Sequence, residues 1–173
     1  MRRSFCLLLG GLFFAAACGG DDPLSPRDLA GVYELVAVDG SSLPYTLETG
    51  FECTTGTGAA GVGERVLISG SLSIRPDGFN VFELHFRSSC TPPGHIGEVE
   101  EWGQLSNGPV KLSGNRITLL SQFLDQTPRE VGAGTVRGDE ITVTVTDENW
   151  EPYTFTYTFR KTQEEVELSQ QPW

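Results

Sequence analysis

From residue 31 to residue 161 the chain alternates apolar and polar positions with a period of two, the pattern of strands that bury one face. Gly31–Val38 is the first such run, and it leads into Asp39-Gly40, a strong turn signal. Residues 66–75 alternate next, with Ile68, Leu72 and Ile74 as the expected inward positions, and Pro76-Asp77-Gly78 turns the chain. Residues 79–87 set Phe82, Leu84 and Phe86 on one face and Glu83, His85 and Arg87 on the other. A weaker strand with Trp102 is predicted over 97–105. Strands at 110–112 and 116–122 flank the turn Ser113-Gly114-Asn115. Residues 131–137 run to Gly138-Asp139. In 140–146, Ile141, Val143 and Val145 face away from Thr142, Thr144 and Thr146. The last strand, 153–161, places Phe155, Tyr157 and Phe159 with Tyr153, and Thr154, Thr156, Thr158 and Arg160 opposite.

This pattern predicts an all-β domain over residues 30–161. Eight to ten antiparallel strands with tight turns suit an up-and-down β-barrel, with a β-sandwich as the alternative. Hairpin connectivity favours the barrel, which also removes sheet edges. No helix is expected before a polar tail at 162–173, where 163–168 suits a turn or two. The Gly-, Thr- and Ala-rich stretch 50–63 reads as a loop, either a lid or a plain connection, and it lacks the Lys-Ser/Thr ending of a phosphate loop.

The first 17 residues follow a different pattern. Arg2 and Arg3 precede an apolar run over 5–17, too short to span a bilayer and suited to a secretory signal. The run ends Ala15-Ala16-Ala17-Cys18. This resembles the bacterial lipobox, with Ala15 where Leu is usual. The resemblance implies cleavage before Cys18, a diacylglyceryl group on its thiol and an acyl chain on its freed amine. One chain anchors a protein marginally and two anchor it stably. The other reading is an ordinary cleavable signal. Residues 18–29 then form a flexible tether rich in Gly, Asp, Ser and Pro. Gly19, where Asp would favour inner-membrane retention, points to the outer membrane if the cell has two. The expected location is the cell envelope, exported and lipid-anchored.

Charge narrows the partners. The chain has 12 basic and 23 acidic residues, and loss of Arg2 and Arg3 leaves 10 basic against 23, a net of −13. Such a surface disfavours nucleic acid and anionic head groups. Of four cysteines, Cys6 leaves with the signal and Cys18 carries lipid. Cys53 and Cys90 remain as a pair, expected to be a disulfide in an oxidising compartment. A two-thiolate metal site is the alternative, with only His85 and His95 as further ligands.

Gly31-x-Tyr33 at the start of the first strand and Arg160 near the end of the last resemble lipocalins and related calycin barrels. The resemblance implies that first and last strands are neighbours and that Arg160 covers the Tyr33 ring at the barrel floor. Tyr33 stands where lipocalins carry Trp. Gly31 to Leu35, Asp39-Gly40 with Leu43-Pro44, the Cys53/Cys90 pair, Ser113 to Asn115 and Gly138-Asp139 together resemble small bacterial lipoproteins of poorly characterised function. That likeness implies a lipocalin-like barrel and no particular activity.

Candidate chemistry is sparse. His95, Glu98, Glu100 and Glu101 lie close in sequence, a poor zinc set that reads as a solvated acidic edge. No Gly-x-Ser-x-Gly elbow occurs, and neither His sits in a recognisable Ser or Cys constellation. No metal or cofactor site is therefore expected, and enzyme activity is not. The expected function is a binding module for a small apolar ligand or an envelope partner, with Phe82, Leu84, Phe86, Phe155 and Tyr157 as the ligand-facing set. The alternatives are an assembly module with a filled core and, third, a hydrolase using acidic residues around His95 and Glu98. Trp102, Trp150 and Trp173 are assigned to packing or surface.

Overall fold

The computed structural model describes residues 24–94, 97–122, 126–147 and 153–164. The expected signal, Cys18, His95, Trp150, Trp173 and the tail beyond Glu164 lie outside the described residues. Ten strands follow in order: β1 Gly31–Val38, β2 Ser41–Ser42, β3 Tyr45–Thr54, β4 Ala60–Ile74, β5 Phe79–Thr91, β6 Glu98–Ser113, β7 Arg116–Ser121, β8 Arg129–Arg137, β9 Glu140–Asp147 and β10 Tyr153–Glu164. No helix occurs among the described residues.

Every pairing is antiparallel, and the sheet closes because β1 pairs with both β10 and β4. The ring is β1-β4-β5-β6-β7-β8-β9-β10, an eight-stranded up-and-down barrel consistent with a lipocalin-like fold. Closure rules out a sandwich. β2 and β3 are the two extra strands. β4 is long enough to serve two partners: Ala60 to Leu67 pair with β3, while Ser71 to Ile74 pair with β1. The first half of β4, with β3, the end of β5 and the start of β6, therefore rises from the rim as a four-stranded extension.

Three sequence expectations change here. The stretch 50–63 is no loop; it is the β3–β4 hairpin, and only residues 55–59 connect the strands. Its Gly and Thr content hides the strands because few of its side chains enter the core. Ile68 is not an inward residue either. A register shift between Leu67 and Ser69 offsets the alternation, so Leu67 is fully buried in its place. Such a bulge inverts the face assignment of everything on one side of it. The strands expected at 97–105 and 110–112 are one strand, β6, which changes neighbour along its length. It pairs with β5 from Glu98 to Pro109 and with β7 only from Val110 to Ser113.

The barrel is filled at one end. Tyr33, Leu72, Ile117, Leu119, Ile141, Val143 and Phe159 are buried there in one cluster. Phe82 joins it edge-on to Phe159, with ring centroids 5.8 Å apart. Leu29 is buried in the same cluster, and Leu24 packs against it, so the last residues of the expected tether form a plug beneath the floor. Tyr33 fixes that plug, its hydroxyl donating to the Leu29 carbonyl at 2.8 Å. Among the described residues the one buried side-chain amide, Asn80, donates to the Gly108 carbonyl at 2.6 Å, satisfying a polar group that would otherwise be costly to bury.

Candidate functional site: a cavity at the open end of the barrel

Toward the rim the packing opens into a cavity of ≈ 1000 Å³. Its narrow end is formed by Phe82, Leu84, Phe86 and Tyr157, each almost wholly covered. Half-buried Phe155, Trp102, Leu47 and Phe51 widen it toward solvent. The alternation of β5 and β10 explains the apolar end: Phe82, Leu84 and Phe86 are every second residue of one strand, Phe155 and Tyr157 of the other. Phe82 and Tyr157 meet edge to face at 5.9 Å between centroids, which joins the two strands' aromatic faces across the barrel. All five side chains expected to face a ligand thus line one cavity.

Sequence reasoning left Trp102 without a place. It stacks on Phe86, with centroids 4.3 Å apart and planes 21° from parallel. The two residues are cross-strand partners. The alternation that picks out Phe86 would have picked out Trp102 had 97–105 been aligned against β5. Phe51 and Arg65 were missed because both fall where the register shifts. Phe51 lies over Gly63, the residue opposite it on β4, where a Cβ would collide with the ring and force it to move. The Arg65 guanidinium covers Phe51 at 5.3 Å from the ring centroid and meets Glu48 at 3.3 Å.

A second hollow of ≈ 620 Å³ continues above the first, inside the extension. The two share Phe51, Arg65 and Trp102. The extension keeps its curl by two links. Cys53 and Cys90 form a disulfide with Cα atoms 5.9 Å apart. They sit on strands either side of β4, opposite Gly61 and Gly63. Strands two apart in a flat sheet would hold their Cα atoms about 9–10 Å apart. The sheet must therefore roll sharply, and the glycines leave space inside the roll. The second link is Glu98, whose Oε2 accepts the Gly56 N–H at 2.7 Å and ties the β3–β4 turn to the start of β6. Glu98, one of the acidic residues considered for hydrolysis, is thus occupied in holding the roll. His95 lies outside the described residues. Among those described, no group of three or more His, Cys, Asp or Glu side chains is placed to hold a metal ion.

At the floor, Gly31 and Tyr33 lie on the closure seam. Gly31 is opposite Ile74 on one side and Glu164 on the other, and its φ of 147° is one that L side chains rarely adopt. The cation over the Tyr33 ring is Lys161, at 5.9 Å from the centroid, and not Arg160. Arg160 points outward toward Glu140 at 3.7 Å. Register supplies the reason: Tyr33 is opposite Lys161, and Arg160 is opposite Glu34. Alternation along 153–161 already set Arg160 on the outer face with the threonines. Burial, then the Asp139 carboxylate, pushes the Tyr33 phenol up to about 12.

The geometry is that of a vessel with a sealed floor, an apolar lower wall and a mouth framed by a disulfide-braced flap. Compared with models of protein families, with curated proteins and with solved structures, the chain matches none.

Proposed function

We propose that the protein is a lipid-anchored envelope lipoprotein whose barrel binds a small apolar molecule. The observation that carries the binding half is the cavity of ≈ 1000 Å³ above a packed floor. Ligand sites are concave, mostly apolar at their centre and about 300–1,000 Å³ in volume. A barrel of eight strands can be filled by side chains or can hold one small ligand. Here its lower half takes the first course and its upper half the second. The aromatic apex would supply burial to an apolar body, at about 25 cal/mol for each Å² removed from water. Partner-only or assembly roles would not call for such an opening.

The anchoring half rests on sequence: Arg2 and Arg3, the apolar run to Ala17, and Cys18 behind three alanines. The described domain begins a few residues beyond, with its plug at Leu24 to Ala30. A barrel so placed would stand at a membrane surface on a short leash.

The test is native mass spectrometry of the protein extracted from the cell envelope. A non-covalent small molecule released on unfolding, and recovered in repeated preparations, is the expected result. Apo protein alone, recovered each time under conditions that preserve other lipid carriers, would count against a carrier role.

A further inference from the structure

The walls of the cavity are not alike, and their difference identifies a ligand shape. Going round the barrel, β10, β1, β4 and β5 are contiguous; the apolar lining on this side comes from β5 and β10, as Phe82, Leu84, Phe86, Phe155 and Tyr157, and β4 adds Arg65 near the rim. The strands β6, β7, β8 and β9 complete the ring; Trp102, Leu105, Val131 and Val145 line the cavity from this side too, but it carries most of the polar lining, Gln104, Ser106, Ser121 and Arg129 among it. Between β5 and β6 the polarity changes below the Phe86–Trp102 stack: Leu84 is opposite Gln104, and Phe82 is opposite Ser106. Polarity in this cavity is therefore divided side from side. In a site for a long-chain fatty acid it would be divided mainly top from bottom.

A linear chain lying in this cavity would bury polar side chains of β6 and β7 against methylene groups, leaving their donors and acceptors unmatched. Each buried polar group left without a partner costs about 1–3 kcal/mol. A rigid body with one apolar face and one hydroxylated face avoids that cost. Its smooth face lies on Phe82, Leu84 and Phe155, and its hydroxyls meet Gln104, Ser106 and Ser121. We propose that the ligand is a facial amphiphile of this kind, a fused-ring molecule with hydroxyl groups on one side. The inference rests on the reading of the barrel as a ligand carrier and names the class of ligand.

The experiment is competition against a neutral apolar fluorophore, N-phenyl-1-naphthylamine, bound to the purified protein. The competitors are cholate, a ring system hydroxylated on one face, and palmitate, a linear chain, both below their micellar concentrations. Cholate is expected to compete about tenfold better than palmitate, the ratio given by one or two net hydrogen bonds. Replacing the polar wall by Gln104→Leu with Ser106→Val should remove that preference by weakening cholate while palmitate holds or improves. Tighter binding of palmitate, or equal loss of both competitors in the double variant, overturns the facial assignment while leaving the carrier reading intact. Failure of the fluorophore itself to bind overturns the carrier reading and this inference with it.

Discussion

Replacing Cys53 and Cys90 by serine should lower the stability of the whole barrel by about 4 kcal/mol. The cross-link joins residues 37 apart in sequence. Chain-entropy reasoning assigns such a loop about 0.6 kcal/mol as a constant and about 3.2 kcal/mol for its length at 25 °C. The closed loop contains most of β4 and β5, which supply Leu67, Leu72, Phe82 and Leu84 to the core, so global unfolding must open it. For a domain of this size the loss corresponds to a fall in melting temperature of about 10–20 °C. A second effect is local. β3 pairs only with β4, and without the bridge its far end keeps only that ladder and the Gly56–Glu98 hydrogen bond beyond it. Guanidinium unfolding of the double variant should show a lower midpoint and a steeper slope, since the unlinked chain exposes more surface. Hydrogen exchange should show β3 amides opening well before those of β9 and β10. A midpoint change worth less than about 1 kcal/mol would refute the reasoning, as would unchanged protection of β3.

Three further outcomes follow from single sites. Tyr33 should make the fold sensitive to strong alkali. Burial holds its phenol up at about 12 in the folded protein, above the ordinary tyrosine value of 10.0, so its stabilising contribution is whole below pH 10 and disappears as pH rises toward 12. Absorbance titration of the wild type against Tyr33→Phe should show the Tyr33 phenol ionising late and together with unfolding; its ionisation near pH 10 in the folded state would contradict this. Asp39 holds a positive φ of 49°, and its Oδ1 accepts the Thr156 N–H at 2.8 Å. Asp39→Ala should cost about 2–3 kcal/mol and Asp39→Gly only about 1, since glycine keeps the backbone and loses the bond; equal costs for the two would refute the conformational part. Cys18→Ser should release the protein to the soluble fraction, whereas continued membrane association with an unmodified N-terminus would refute the anchor.

Much of the barrel was legible because its strands bury one face. Where alternation is clean, as in β5, β9 and β10, the apolar face of the sequence reading turns inward: Phe82, Leu84, Phe86, Ile141, Val143 and Phe159 are buried, and Val145 and Phe155 are half-buried toward the rim. Legibility failed where two strands share one edge of a longer strand or where a bulge intervenes. β4 changes partner from β3 to β1 and carries a register shift, and there Ile68 was exchanged with Leu67. The β3–β4 hairpin looked like a loop because Gly61 and Gly63 lack side chains for the same reason that they matter: the rolled sheet brings the Thr91–Pro92 backbone against Gly61 and the Phe51 ring against Gly63. The cavity residues on β5 and β10 were found by period, while Trp102, Gln104 and Ser106 required the β5–β6 register, which is a non-local fact. Arg160 shows the opposite case. A resemblance put it over Tyr33, although the chain's own alternation had already turned it outward and left Lys161 to face the ring.

The account depends most on the upper cavity being a binding site, and Ser106→Trp tests that directly. Ser106 lines the cavity at half-burial, opposite Phe82, so an indole there would fill the opening without removing a core side chain. Titration of N-phenyl-1-naphthylamine into the wild-type protein should give saturable binding at one site, with fluorescence enhanced by the apolar surroundings. The variant should lose that binding while keeping the wild-type unfolding midpoint. Absence of saturable binding to the wild type, or binding unchanged by the indole in a folded variant, would contradict the central claim.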